Sequence, residues 1–85
     1  KEVRFRPHID DHDYAVKLGH AREFLEKGYK VRLRLQFRGR EMIHKEQGRA
    51  VIERAIKELE GVAKVDKPPQ EMGRMILVIL MPQKS

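Results

Sequence analysis

Residues 29–38 read YKVRLRLQFR, an unbroken alternation of apolar and polar side chains. A period of two is typical of a β-strand with one face on the core, so we expect a strand here. Its apolar face comprises Tyr29, Val31, Leu33, Leu35 and Phe37. Its polar face comprises Lys30, Arg32, Arg34, Gln36 and Arg38. The pattern ends at Gly39 and predicts one long, basic, half-buried strand in the middle of the chain.

Helices are predicted on both sides of this strand, over residues 11–27 and 44–60. Asp10 or Asp11 is a suitable N-cap for the first helix, and Gly28 suits the position after its end. Each segment carries an apolar stripe at helical spacing. The stripe members are Tyr14, Leu18, Ala21 and Leu25 in the first segment and Val51, Ile52, Ala55, Ile56 and Leu59 in the second.

Three further strands are predicted near the two ends of the chain. Residues 2–7 alternate and stop at Pro7, while residues 62–66 form a short, weaker strand. Lys67-Pro68-Pro69 is expected to break that strand and to begin a connecting loop that ends at Gly73. Residues 74–81 are apolar without alternation, which suits a strand covered on both faces. Pro82 ends it, and we expect a mobile tail up to Ser85.

The predicted order is β-α-β-α-β-β, an α+β fold. Two helices cannot cover both faces of so small a sheet, so we expect a two-layer α/β sandwich. It has a four-stranded mixed sheet with both helices on one face, and its last two strands pair as a hairpin. A chain of 85 residues is long enough for one domain, 1–85. Because it begins at Lys1 without Met, we expect a piece of a longer protein.

The composition restricts the chemistry. The chain has no Cys, and its only Ser is Ser85, so hydroxyl and thiol nucleophiles are nearly lacking and no enzyme or cofactor is expected. The net charge is +6, from 19 Lys and Arg against 13 Asp and Glu, which favours a polyanionic partner over a purely solubilising role. No apolar run approaches the roughly 20 residues of a membrane span, so we expect a soluble cytoplasmic protein.

The basic residues of the strands point away from the predicted core. They are Arg4, Arg6, Lys30, Arg32 and Arg34, and acidic partners are scarce among them. Such a face can neutralise RNA phosphates. The alternative is a solvated face whose charges only oppose aggregation. Because Phe5 and Phe37 belong to the core side, base stacking is not expected and backbone recognition fits better.

Two local clusters were weighed for chemistry. Arg38 and Arg40 flank Gly39, and both guanidinium groups suit bidentate phosphate binding, although a plain surface turn with an Arg–Glu41 pair is the alternative. Residues 8–13, HIDDHD, have the composition of a metal site. Aspartates at a helix start are better explained as caps, so no metal is expected.

Several blocks together resemble one family. They are Phe5-Arg6-Pro7, Asp13-Tyr14 with Val16-Lys17-Leu18, Phe24-Leu25, Phe37-Arg38-Gly39-Arg40-Glu41-Met42 with His44, and Gly73-Arg74-Met75. In order and spacing they resemble the C-terminal domain of bacterial translation initiation factor 3. The resemblance covers the whole chain.

The resemblance implies a domain that binds the small ribosomal subunit through ribosomal RNA, prevents subunit association and supports selection of the start codon and initiator tRNA. It implies a monomer, with the tRNA as an indirect partner. The RNA-binding residues carried over are Arg6, Lys17, Arg38, Arg40, Arg54 and Arg74. Arg32 and Arg34 are added from the strand pattern alone. Gly19, Glu23 and the single tail residue Lys84 depart from basic positions in the family.

Two other functions remain open at this point. A basic adaptor that binds an acidic protein partner would share the same charge. A metal-dependent hydrolase is a distant third, because no nucleophile stands beside the scattered carboxylates.

Overall fold

The computed structural model describes residues 1–83, so the expectations for Lys84 and the tail to Ser85 fall outside the described residues. Its strands are β1 (Glu2–Phe5), β2 (Val31–Gln36), β3 (Ala63–Met72) and β4 (Met75–Pro82). Its α-helices are α1 (Asp11–Glu26) and α2 (Lys45–Glu58), and a 3₁₀ helix (Gly39–His44) precedes α2. The predicted order β-α-β-α-β-β is confirmed.

The four strands form one mixed sheet in the order β1-β2-β4-β3. β1 and β2 run parallel, and β4 runs antiparallel to both of its neighbours. Both helices pack on the same face, where the inward side chains of the strands, such as Phe5, Leu33 and Val78, are buried. The predicted two-layer α+β architecture is therefore confirmed.

The helices follow the predicted stripes. Tyr14, Leu18, Ala21 and Leu25 are all buried in α1. The Asp10 carboxylate accepts a 3.0 Å hydrogen bond from the backbone N–H of Asp13, which identifies the N-cap. Gly28 follows the helix with φ +92°, a left-handed conformation in which a side chain is strained. None of the described helices is long and apolar enough to cross a membrane.

Two predicted boundaries were wrong near β2. Tyr29 lies before the strand and is 48% exposed, because the chain is still leaving the α1 turn at that point. The second helix was expected to start at 44, but a 3₁₀ helix occupies residues 39–44 first. Apolar periodicity predicts the part of a helix that packs on the core, and residues 39–44 contain no buried side chain.

The predicted loop at 67–73 was also wrong, since residues 67–72 belong to the ten-residue strand β3. β3 lies at the edge of the sheet and has a strand on one side only. A proline, which lacks an N–H, is tolerated there because its other side has no strand that needs a hydrogen bond. The register shifts between Val65 and Lys67 and again between Lys67 and Gln70, so irregularities take up the proline pair. Gly73, with φ +58°, then closes a tight hairpin turn to β4.

The expectation that β4 is covered on both faces was wrong as well. Burial alternates along the strand: Ile76, Val78 and Leu80 are buried, and the residues between them are half-buried. No second layer covers the outer face within residues 1–83. The outward residue Ile79 instead lies beside Arg32 in the neighbouring strand, and Leu77 lies beside Arg34. Long basic side chains shade apolar neighbours with their methylene stems.

Candidate RNA-binding surface

The 3₁₀ helix after β2 is held in place from two sides. The Glu41 carboxylate accepts a 2.8 Å hydrogen bond from the backbone N–H of Arg38, and the backbone N–H of Glu41 donates to the Arg38 carbonyl at 2.8 Å. The same carboxylate lies 3.7 Å from the Arg6 guanidinium, which follows β1. Glu41 therefore serves the backbone of the turn and Arg6, and it leaves the side chains of Arg38 and Arg40 exposed.

A close approach between α2 and β2 supports this turn from below. A Cβ added to Gly48 would lie 2.5 Å from Phe37 Cζ and 2.9 Å from Leu35 Cδ2, distances that real side chains do not adopt. Phe37 is buried, and its backbone N–H donates to the Arg74 carbonyl at 2.8 Å. The absence of a side chain at Gly48 thus lets the helix seat Phe37, the residue immediately before Arg38.

Arg74 joins this region from the hairpin turn between β3 and β4. Its Nη1 lies 4.0 Å from the position of a Cβ at Gly39, so its guanidinium sits against the 3₁₀ helix. We call Arg38, Arg40 and Arg74 the basic end. Within residues 1–83 no ion pair involves any of the three. Three uncompensated guanidinium groups at one end of the sheet form a site suited to phosphates.

A cleft beside the basic end gathers three more of the predicted residues. Arg6, Lys17 and Arg34 line a cleft of about 260 Å³. Lys17 Nζ donates to the Arg4 carbonyl at 2.7 Å, which fixes the ammonium at the end of β1. Arg34 donates at 3.1 Å to Oε1 of Gln36, two positions along β2, and both residues line the cleft. The cleft therefore extends the positive surface of the basic end along β1 and β2.

The outer face of the sheet is less positive than the strand pattern predicted. Glu2 lies among three arginines, 3.0 Å from Arg4, 3.8 Å from Arg32 and 3.9 Å from Arg34. Its hydrogen bond with Arg4, followed by the charges of all three guanidinium groups, holds the pKa of the Glu2 carboxyl below its usual value. We call Glu2, Arg4, Arg32 and Arg34 the sheet face.

The expectation that acidic partners are scarce on this face was wrong, because parallel pairing sets Glu2 directly opposite Arg32. Lys30 is also paired, with Asp66 of the edge strand at 3.2 Å. Strand pairing was needed to see either contact. Alternation alone assigns residues to a face without saying which neighbours they meet.

Arg54 lies apart, on the helix layer. Its guanidinium sits 4.3 Å from the centre of the Tyr14 ring, and its Nε donates to Glu58 at 2.8 Å. Burial, followed by the negative charge of Glu58, raises the pKa of Tyr14 to about 12. Arg54 is thus already paired, unlike the arginines of the basic end.

The fold brings together two histidines that the sequence did not predict to be in contact. His8, in the turn after β1, packs edge-on against His44, the last residue of the 3₁₀ helix, with ring centres 4.9 Å apart. They are far apart in the chain, so no local spacing signals the pair. Among the described residues, no group of three or more His, Asp or Glu side chains is placed to hold a metal ion. The Asp10 cap accounts for one of the aspartates in the 8–13 cluster.

The family model and three curated relatives that this sequence matches all carry the same name. The sequence model of the family "Translation initiation factor IF-3, C-terminal domain" matches residues 1–83. The chain is 46% identical over 85 residues to a translation initiation factor IF-3 from Thermotoga maritima, covering 100% of this chain and 49% of that protein. The Thermus thermophilus factor is 42% identical over 84 residues, covering 99% of this chain and 49% of the relative. The Bordetella pertussis factor is 48% identical over 85 residues, covering 100% and 52%. The chain spans about half the length of these curated relatives.

Proposed function

Because the chain belongs to the translation initiation factor IF-3 C-terminal domain family, we propose that it binds the small ribosomal subunit through ribosomal RNA and prevents subunit association. In this proposal residues 1–85 act as a single, monomeric, ribosome-binding domain of a longer cytoplasmic factor. The domain also supports selection of the start codon, with initiator tRNA as an indirect partner.

One observation carries the RNA part of the proposal. Arg38 and Arg40 flank Gly39, the Arg74 guanidinium lies against Gly39, and none of the three has a carboxylate partner among residues 1–83. An arginine that already has a carboxylate must give up that contact before it binds a phosphate, whereas a free one releases counterions from the RNA at no such cost. The basic end is therefore the favoured phosphate-binding region.

The proposed RNA contacts rank by this criterion. The basic end comes first. Arg6 and Lys17 come second, because Arg6 lies 3.7 Å from Glu41 and Lys17 already donates to the Arg4 carbonyl. Arg54, Arg32 and Arg34 come last, because Arg54 is hydrogen-bonded to Glu58 and the other two lie 3.8 and 3.9 Å from Glu2.

The proposal is tested by titrating purified small and large subunits with the domain over a salt series, and by following subunit joining by light scattering. We expect binding to the small subunit that weakens steeply with salt, and joining that is blocked at saturation. Equal affinity for both subunits and for bulk RNA would contradict the proposal. Capture of a partner that survives nuclease digestion would instead support the adaptor function.

A further inference from the structure

Ile43 is the most exposed of the large apolar side chains that the structure describes, at 84%. It lies in the 3₁₀ helix between Arg40 and the start of α2. Its neighbour Met42 is half-buried against the core, whereas Ile43 lies on the solvent side of the turn. An isoleucine held in water forgoes the stabilisation that burial would bring.

The 3₁₀ geometry places Ile43 next to an arginine of the basic end. Side chains at i and i+3 eclipse one another in a 3₁₀ helix, so Arg40 and Ile43 share one face of the turn. The other i, i+3 pairs are Gly39 with Met42 and Glu41 with His44. Glu41 reaches back to the Arg38 backbone and to Arg6. The turn thus presents one cation and one aliphatic group side by side.

Resting on the proposed function, we infer that Ile43 is a direct apolar contact to ribosomal RNA, packing on ribose or base surface beside a phosphate bound by Arg40. The shallow minor groove of an RNA helix and its unstacked loop nucleotides offer such surfaces. Minor-groove DNA-binding proteins likewise combine arginine contacts with inserted apolar side chains, isoleucine among them. Arg40 sets the charge contact, and Ile43 excludes water next to it.

The capped turn gives this contact a fixed position. The two hydrogen bonds between Arg38 and Glu41 fix the start of the 3₁₀ helix, and α2 continues directly from its end at Lys45. Ile43 is therefore carried on a segment that is anchored at both ends, and little conformational entropy is lost when it meets RNA.

The test compares Ile43→Ala with Val65→Ala in small-subunit binding over a salt series. Val65 is 43% exposed and pairs with Leu80, far along β3 from the hairpin turn that holds Arg74. We expect Ile43→Ala to weaken binding by about tenfold without changing the salt slope, since an apolar contact releases no counterions. Ile43→Leu should restore most of the affinity, and Val65→Ala should leave it unchanged.

A photoreactive side chain introduced at position 43 identifies what this residue touches. Cross-links to small-subunit ribosomal RNA are expected, and cross-links to a ribosomal protein alone would overturn the inference. Wild-type binding by Ile43→Ala, or a loss equal to that of Val65→Ala, would overturn it as well. If the unsubstituted domain fails to bind small subunits, the proposed function fails and this inference fails with it, which separates the two cases.

Discussion

Two arginine-rich regions of this molecule differ in what surrounds them. The sheet face sets three arginines around the single carboxylate of Glu2, whereas the basic end sets three around none among the described residues. The sequence makes the two regions look alike, since both are runs of Arg at strand positions or just beyond them. The number of arginines is thus a poor guide to RNA binding, and the number left without a carboxylate is a better one.

Removing the support of the basic end should have the largest effect. Gly48→Ala forces a methyl group against Phe37 and Leu35, so we expect about 1–3 kcal/mol of lost stability, as in other overpacked cores. The control is Gly61→Ala, because nothing lies within 4 Å of the added Cβ. Chemical denaturation measures the free energy of unfolding of the two variants. Equal stability of the two variants would show that α2 does not press on Phe37.

Removing the cap of the 3₁₀ helix should weaken RNA binding although it makes the protein more positive. Glu41→Ala removes the acceptor for the Arg38 N–H and the partner of Arg6. A lost cap costs on the order of 1 kcal/mol, so affinity for small subunits should fall by about fivefold. Stronger binding by this variant would mean that charge alone governs the basic end.

Removing a carboxylate from the sheet face should instead strengthen RNA binding. Glu2→Ala frees Arg4, Arg32 and Arg34. Because these pairs are exposed and weak, affinity should rise only about twofold. Glu26→Ala changes the net charge equally without touching an ion pair of the described residues, so it is the matched control. No difference between the two variants would remove the sheet face from the account.

The smallest expected effect lies in the helix layer and concerns the pH dependence of stability. It is measured by pH titration of Tyr14. In a Tyr29→Phe background Tyr14 is the only tyrosine, and its pKa should lie at about 12. Unfolded tyrosine ionises near pH 10, so the folded state binds more protons between about pH 10 and 12. Stability should therefore fall as pH rises through that interval. Glu58→Gln should lower the Tyr14 pKa, and Glu60→Gln should not.

Much of the fold could be predicted from the sequence because burial dictates it. The α1 stripe and the alternation of β2 each depend on one face meeting one core, and both were confirmed except for Tyr29, which lies before the strand. The start of the edge strand β3 was predicted, at residues 62–66, but its continuation through residues 67–72 was not. Pro68 and Pro69 oppose a strand, and only their place at the edge of the sheet makes it possible.

The candidate site divides in the same way. Arg38 and Arg40 are prominent in the sequence because they flank Gly39, and Glu41 stands three positions after Arg38, where a capping carboxylate belongs. The contact of Glu2 with Arg4 follows from the alternation along β1, whereas its contacts with Arg32 and Arg34 depend on the register between β1 and β2. A register is a long-range property, so neither composition nor alternation reports it.

The most direct measurement compares two double variants that lose the same charge. Arg38→Ala with Arg40→Ala disables the basic end, and Arg32→Ala with Arg34→Ala disables the sheet face. Small-subunit affinity is measured for both over one salt series. We expect the salt slope to fall by about two for the first variant and by less than one for the second. Equal losses in slope and affinity would contradict the account, because paired and unpaired arginines would then serve RNA binding alike.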